Sequence, residues 1–137
     1  MYQSVRDAMT SSPKTISTST TAHEAARLMK SEDVGALPIV EGDKLVGVVT
    51  DRDLAVRVLA EGKSPDTAVS EIASKDVVTV DPDQTLEEAA RLMAEHQVRR
   101  LPVVEEDGRL VGVLAQADVA QSGQDLLTGE TVQRISQ

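Results

Sequence analysis

The chain is written twice. Ala25-Ala26-Arg27-Leu28-Met29 recurs letter for letter as Ala89-Ala90-Arg91-Leu92-Met93, 64 residues later. The same offset of 64 pairs Leu37-Pro38-Ile39-Val40 with Leu101-Pro102-Val103-Val104, and Thr15-Ile16 with Thr79-Val80. One additional residue in a turn, Glu105-Glu106-Asp107-Gly108 against Glu41-Gly42-Asp43, raises the offset to 65 for Gly47 with Gly112 and for Asp53 with Asp118. A turn is where an inserted residue leaves the flanking strands in register. A single unit of about 60 residues with a small sheet and two main helices buries too little surface to stand alone. Two mixed α/β copies packed sheet to sheet about a pseudo-two-fold are therefore expected, with paired, symmetry-related clefts. Leftover apolar helix faces favour a further two-fold dimer.

Each unit reads in one order. A short polar helix (Val5 to Met9; Val69 to Ala73) precedes a brief strand at Thr15-Ile16 or Val77 to Val80. An amphipathic helix follows. In the second unit it is capped by Asp83 or Thr85, carries Glu87 and Glu88 in its first turn, and gathers Leu86, Ala89, Ala90, Leu92 and Met93 on one face. In the first unit Thr20 or Thr21 caps, and Ala22, Ala25, Ala26, Leu28 and Met29 supply the face. Next comes a strand with proline near its start (Leu37 to Val40; Leu101 to Val104), then a Gly/Asp turn and a hairpin partner (Leu45 to Val49; Leu110 to Leu114). A closing helix spans Asp51 to Ala60, with a shorter one near Gln116 to Gln121. Pro38 and Pro102 lack a ladder N–H and so belong at a strand's first residue or edge. The polar stretch Glu61 to Asp66 is a linker, which divides the chain into residues 1–64, 65–122 and a tail, 123–137. That tail, with Leu126, Leu127, Val132 and Ile135, is either a docking helix or a frayed end.

The sequence Thr50-Asp51-Arg52-Asp53 supplies the chemistry. Thr50 and Asp53 form a Ser/Thr-x-x-Asp/Glu start signal, which sets a hydroxyl and a carboxylate together at a helix N-terminus. Exposed backbone N–H groups there receive polar ligands. Composition narrows the ligand. The net charge of −9 argues against free nucleic acid, whose binding requires many neutralised phosphates. Tyr2 is the single aromatic residue, so stacking platforms for bases are absent. With no cysteine there is no thiolate metal site, no disulfide and no thiol nucleophile, which fits a cytoplasmic protein. No apolar run reaches the roughly 18 residues that cross a membrane, and the N-terminus lacks a secretion pattern.

The tandem order, with Leu-Pro-hydrophobic-Val followed by Gly47-hydrophobic-hydrophobic-Thr50-x-x-Asp53, resembles the CBS domain, named after cystathionine beta-synthase, over about Val5 to Gln121. The likeness is greatest to stand-alone proteins made of one CBS pair. It implies a regulatory, ligand-sensing module rather than an enzyme, with no required cofactor. AMP, ADP, ATP or S-adenosylmethionine is the implied regulatory ligand, held in an inter-unit cleft, and a homodimer and a regulated protein are the implied partners. By this resemblance Asp53 holds the two ribose hydroxyls, Thr50 contacts sugar or first phosphate, and Thr15, Ile16 and Pro38 line the base pocket. Arg99 and Arg100 would meet phosphates reaching across the pseudo-axis. Asp118 is kept in the second copy, but Ala115 replaces its threonine and Ala117 stands where Arg52 stands. In turn Gly35 and Ala36 occupy the places of Arg99 and Arg100. One better site at Asp53 and a second, at Asp118, that is weaker or empty are expected.

Plainer readings stand beside these. Thr50 and Asp53 also describe a capping box that merely starts a helix, worth about 1 kcal/mol. Arg99 and Arg100 also fit a solvated strand entrance or pairing with Glu95, Glu105 or Glu106. Gly47 and Gly112 mark close approach of a backbone or of a ligand. His23 and His96 are not equivalent in the repeat, and no Ser-His-Asp, P-loop or metal-ligand spacing occurs, so neither catalysis nor a metal is expected. A ligand-independent interaction or dimerisation scaffold is the competing function.

Overall fold

The computed structural model describes residues 3–122. In chain order the elements are α1 (Val5–Ala8), β1 (Thr10–Ser11), α2 (Ala22–Glu32), β2 (Ala36–Glu41), β3 (Lys44–Thr50) and α3 (Asp51–Asp53). α3 continues as a π-helix, Leu54–Leu59, and a 3₁₀ turn at Val69–Glu71 follows. Then come α4 (Leu86–His96), β4 (Arg100–Val104) and β5 (Leu110–Ala115), with residues 116–122 helical as α5. The tail from residue 123, with its four apolar residues, lies outside the described residues.

Of the two cap candidates in each repeat, the threonine nearer the helix wins. Thr21 accepts from the Glu24 N–H at 3.1 Å while Glu24 Oε1 accepts from the Thr21 N–H at 3.0 Å. Thr85 and Glu88 repeat both bonds at 3.1 Å. Each reciprocal pair satisfies two N–H groups that the helix start leaves open. The backbone N–H of Thr21 holds the Glu24 carboxyl below its ordinary range, and that of Thr85 does the same for Glu88. Both helices end on a left-handed residue at matched positions, Asp33 and Gln97.

The chain forms two compact units, but contacts group it differently from the sequence division at 64/65. One unit holds Lys14–Val77 with Asp107–Leu110; the other holds the described residues up to Pro13, Val78–Glu106 and the described residues from Val111 to Ser122. The arm that precedes each repeat packs on the body of the other copy. The cause of this exchange is apolar burial: Val5 and Val69, equivalent in the repeat, are both fully buried away from their own copies.

In the first unit β2 and β3 form an antiparallel hairpin, with Ala36 opposite Thr50 and Ile39 opposite Gly47. Gly42 sits at φ +67 as the first central residue of its two-residue turn, the place where a II′ turn needs glycine. Thr15-Ile16 contributes a one-residue parallel bridge to β2: the Ile16 N–H donates to Pro38 O at 3.0 Å and the Val40 N–H to Ile16 O at 2.9 Å. Pro38 faces this side, so its missing N–H costs no bond to β3. The core joins Ile16, Ala25, Met29, Leu37, Ile39, Val49 and Val58 to Val69 and Ile72 of the exchanged arm. That arm is stitched down by the Val69 N–H to Thr20 O at 2.8 Å, and by reciprocal bonds between Val48 and Ser74 at 3.1 Å.

The second unit obeys the same plan. Val80 bridges β4 with bonds to Pro102 O and from Val104 N–H of 3.0 and 2.9 Å. Its core is Val80, Leu86, Ala89, Met93, Leu101, Val103 and Leu114, completed by Val5. The arm adds β1 to the sheet in the order β1-β5-β4, with Thr10 opposite Val113 and Ser11 opposite Gly112. The two repeat glycines mark the crossings. A Cβ on Gly47 would lie 3.0 Å from Ser74 O, and one on Gly112 would lie 2.8 Å from Thr10 O. Close approach is therefore to protein backbone, which answers the question the sequence left open.

Two helix expectations change on inspection. The turn at Val69 is only a 3₁₀ segment. The closing helix after Asp53 widens into π geometry, with the Ala60 N–H bonded to Ala55 O at 2.9 Å. Single-turn π segments recur at functional sites.

Candidate functional site

Strand β3 delivers Thr50 to the start of α3, where the chain must turn from ladder bonds to helical ones. The Asp51 N–H donates to Gly35 O at 2.9 Å, which closes the hairpin's open end and fixes where the helix begins. The Thr50 hydroxyl then accepts from the Asp53 N–H at 3.0 Å, and Asp53 Oδ2 accepts from the Thr50 N–H at 2.9 Å. Asp53 is 9% exposed, the buried charged residue among the core positions. Its second oxygen, Oδ1, stands 3.7 Å from Arg57 Nε, an ion-pair contact longer than a hydrogen bond. An ionised carboxylate offers about four acceptor sites, so one N–H and one distant guanidinium leave it acceptor capacity.

The first unit thus gathers five of the expected site residues. Ile16 and Pro38 are buried on the neighbouring strands, Thr15 is exposed at the entrance of the short strand, and Thr50 and Asp53 occupy the strand-to-helix junction. Arg99, Arg100 and Asp118 belong to the other unit. There the Gln116 N–H donates to Arg99 O at 2.7 Å, the equivalent of the Asp51 bond to Gly35. Arg99 and Arg100 are both exposed. Asp118 Oδ2 accepts from the Ala115 N–H at 2.9 Å, which reproduces half of the first junction without a hydroxyl. Ala115→Thr should supply the missing half and raise stability by about 1 kcal/mol, read from urea denaturation midpoints.

Two features escaped the sequence reading. Asp51 lies against Gly35, where a Cβ would meet its Oδ2 at 3.1 Å, so the first junction carries a carboxylate where the second carries Gln116 beside Arg99. The other is Arg57, which besides facing Asp53 donates from Nη1 to Ile72 O at 3.1 Å. The i,i+4 spacing of Asp53 and Arg57 was a visible signal for the first contact; nothing local signalled the second. Among the described residues no three His, Cys, Asp or Glu side chains cluster as metal ligands, and no helix is long and apolar enough to cross a membrane.

Comparison with known proteins matches this geometry to a family. Residues 5–60 and 69–124 each match the CBS domain. The CBS domain-containing protein YhcV of Bacillus subtilis is 48% identical over 117 residues, covering 85% of this chain and 83% of the relative. Among solved structures, that of CBSX2 in complex with AMP superposes with a TM-score of 0.80 at 30% identity, covering 90% of this chain and 97% of that one. The CBS domain pair of MJ0100, in complex with methylthioadenosine and S-adenosylmethionine, gives a TM-score of 0.78 at 29% identity, covering 88% of this chain and 99% of that one.

Proposed function

The chain belongs to the CBS domain family as a tandem pair, and on that premise we propose that it is a regulatory module that senses an adenosine-containing ligand, AMP, ADP, ATP or S-adenosylmethionine. The observation that carries this reading is the buried Asp53 carboxylate, held by one backbone N–H and retaining acceptor capacity at Oδ1. A pair of vicinal hydroxyls is the ligand feature such a carboxylate accepts, with charge-assisted bonds of greater than ordinary strength. The relatives solved with AMP and with S-adenosylmethionine support the adenosyl class.

In this reading Asp53 takes the ribose hydroxyls, Thr50 contacts sugar or phosphate, and Thr15, Ile16 and Pro38 wall the base with aliphatic surface. Arg99 and Arg100 supply forked cationic groups for phosphate, and Asp118 marks a second site that is weaker or empty. The module is cytoplasmic, non-catalytic and homodimeric, with Val56 and Leu59 offering exposed apolar surface for self-association. Signalling is a population shift: a ligand that binds one conformation better than another moves the balance, and a protein partner distinguishes the two. A scaffold whose function is self-association alone would be indifferent to nucleotides.

Titration calorimetry and thermal shift with AMP, ADP, ATP and S-adenosylmethionine separate the two. A sensing module is expected to bind at least one of them and to melt higher in its presence, by mass action on the folded state. Indifference to all four would leave the scaffold standing.

A further inference from the structure

Within the first unit the Arg57 side chain has a polar contact with the proposed site and another with the exchanged arm. Its Nε edge faces Asp53 Oδ1 at 3.7 Å, and its Nη1 donates to Ile72 O at 3.1 Å. Ile72 is 1% exposed and lies in the core beside Val69, so the carbonyl it offers is a fixed anchor. A guanidinium is planar and presents its donors in a rigid fork, so partners on two edges set its orientation where one would leave it swinging. The i,i+4 spacing from Asp53 and the helical course of residues 51–59 bring the side chain to this place. The second repeat has no counterpart, because at the 65-residue offset the position of Arg57 is Ser122.

We infer that Arg57 is the positioning residue of the Asp53 site: held by the arm carbonyl, it fixes the carboxylate for two vicinal hydroxyls and transmits engagement of that carboxylate to residues 69–74. The inference rests on the ribose-binding reading of Asp53. Two physical consequences follow. Without the guanidinium, Oδ1 loses the neighbour that favours one orientation, and hydroxyl recognition suffers more than recognition of the base. Without the Asp53 charge, the guanidinium loses one of its two partners, and the arm feels the change through Ile72. The first repeat thereby gains a link between ligand site and arm through a guanidinium, a group that Ser122 does not supply at the equivalent place in the second.

The test has a ligand-free arm and a ligand arm. Hydrogen exchange at the Ala73 and Ser74 amides, which bond to Val69 O and Val48 O, is measured in the full chain as wild type, Asp53→Asn, Arg57→Gln and the double variant. Each single change is expected to speed exchange, and the double variant to be no faster than Arg57→Gln alone. Additive effects, or no effect of Asp53→Asn, would overturn the link. In the ligand arm, affinity for AMP is compared with affinity for dideoxy-AMP, which lacks both hydroxyls. Wild type should prefer AMP by about 100-fold, and Arg57→Gln should lose most of that ratio while its melting temperature stays near wild type. Arg57→Lys, which keeps the charge without the fork, should fall between. A ratio unchanged in Arg57→Gln, with both affinities lowered alike, assigns the residue a structural role only. Binding of neither nucleotide by wild type refutes the site reading and the positioning role, while the exchange cycle still decides the link to the arm.

Discussion

Replacing Gly112 with valine should cost the fold about 3 kcal/mol, the upper end of what overpacking a closed site exacts. The cause is backbone: a Cβ at 112 would lie 2.8 Å from Thr10 O, and β1 is hydrogen-bonded across that point. Met9 also crowds the position, with Sδ at 2.5 Å, but a flexible thioether can swing aside whereas a paired carbonyl cannot. Relief requires the arm to lift, and lifting it exposes Val5, which is fully buried against Val80 and Leu86. Urea denaturation checks the magnitude, and limited proteolysis ahead of Pro13 checks the location. Gly42→Ala is the comparison. It meets nothing within 4 Å but sits at φ +67, so its cost is the left-handed backbone penalty of about 1 to 2 kcal/mol. If Gly112→Val cost no more than Gly42→Ala, the arm exchange would be wrong.

The element order was legible because the repeat provides two readings of every segment, and a feature present in both copies is hard to mistake. Thr21 and Thr85, Ile16 and Val80, Pro38 and Pro102 each take the same bonds at nearly the same lengths. The arm exchange was not legible, for a reason of symmetry. Two bodies built on one pattern, each with a glycine in its hairpin, leave open which of them an arm packs against. Gly47 and Gly112 announced a close approach; that a backbone makes it, and which segment supplies that backbone, had to come from three dimensions. The π widening after Asp53 was likewise hidden, since a sequence period of 3.6 cannot resolve one added residue in a single turn. At the site, the Thr50–Asp53 pair was readable as a local four-residue pattern. Arg57's second bond, to a carbonyl 15 residues away in a segment of another repeat, has no local signature.

Asp53→Ala should weaken AMP binding by about 100-fold, whereas Asp118→Ala should weaken it by less than about 3-fold. The asymmetry follows from the junctions themselves. Hydroxyls accepted by an ionised group each contribute about 1.5 to 3 kcal/mol, and Asp53 is the buried carboxylate with a hydroxyl neighbour and a guanidinium behind it. Asp118 is less buried, has Ala115 for its threonine and Ser122 where Arg57 would stand. Alanine at 53 also removes the acceptor for the Thr50 N–H, so part of the loss reflects a weakened helix start worth about 1 kcal/mol. Asp53→Asn separates the two terms, because its amide oxygen still accepts from Thr50 while the negative charge is gone. Binding lost in both variants, with Asn near wild-type stability, locates the recognition in the charged carboxylate. Binding retained in both would move the ligand, if one binds, away from Asp53 and reduce the Thr50–Asp53 pair to a device for starting a helix.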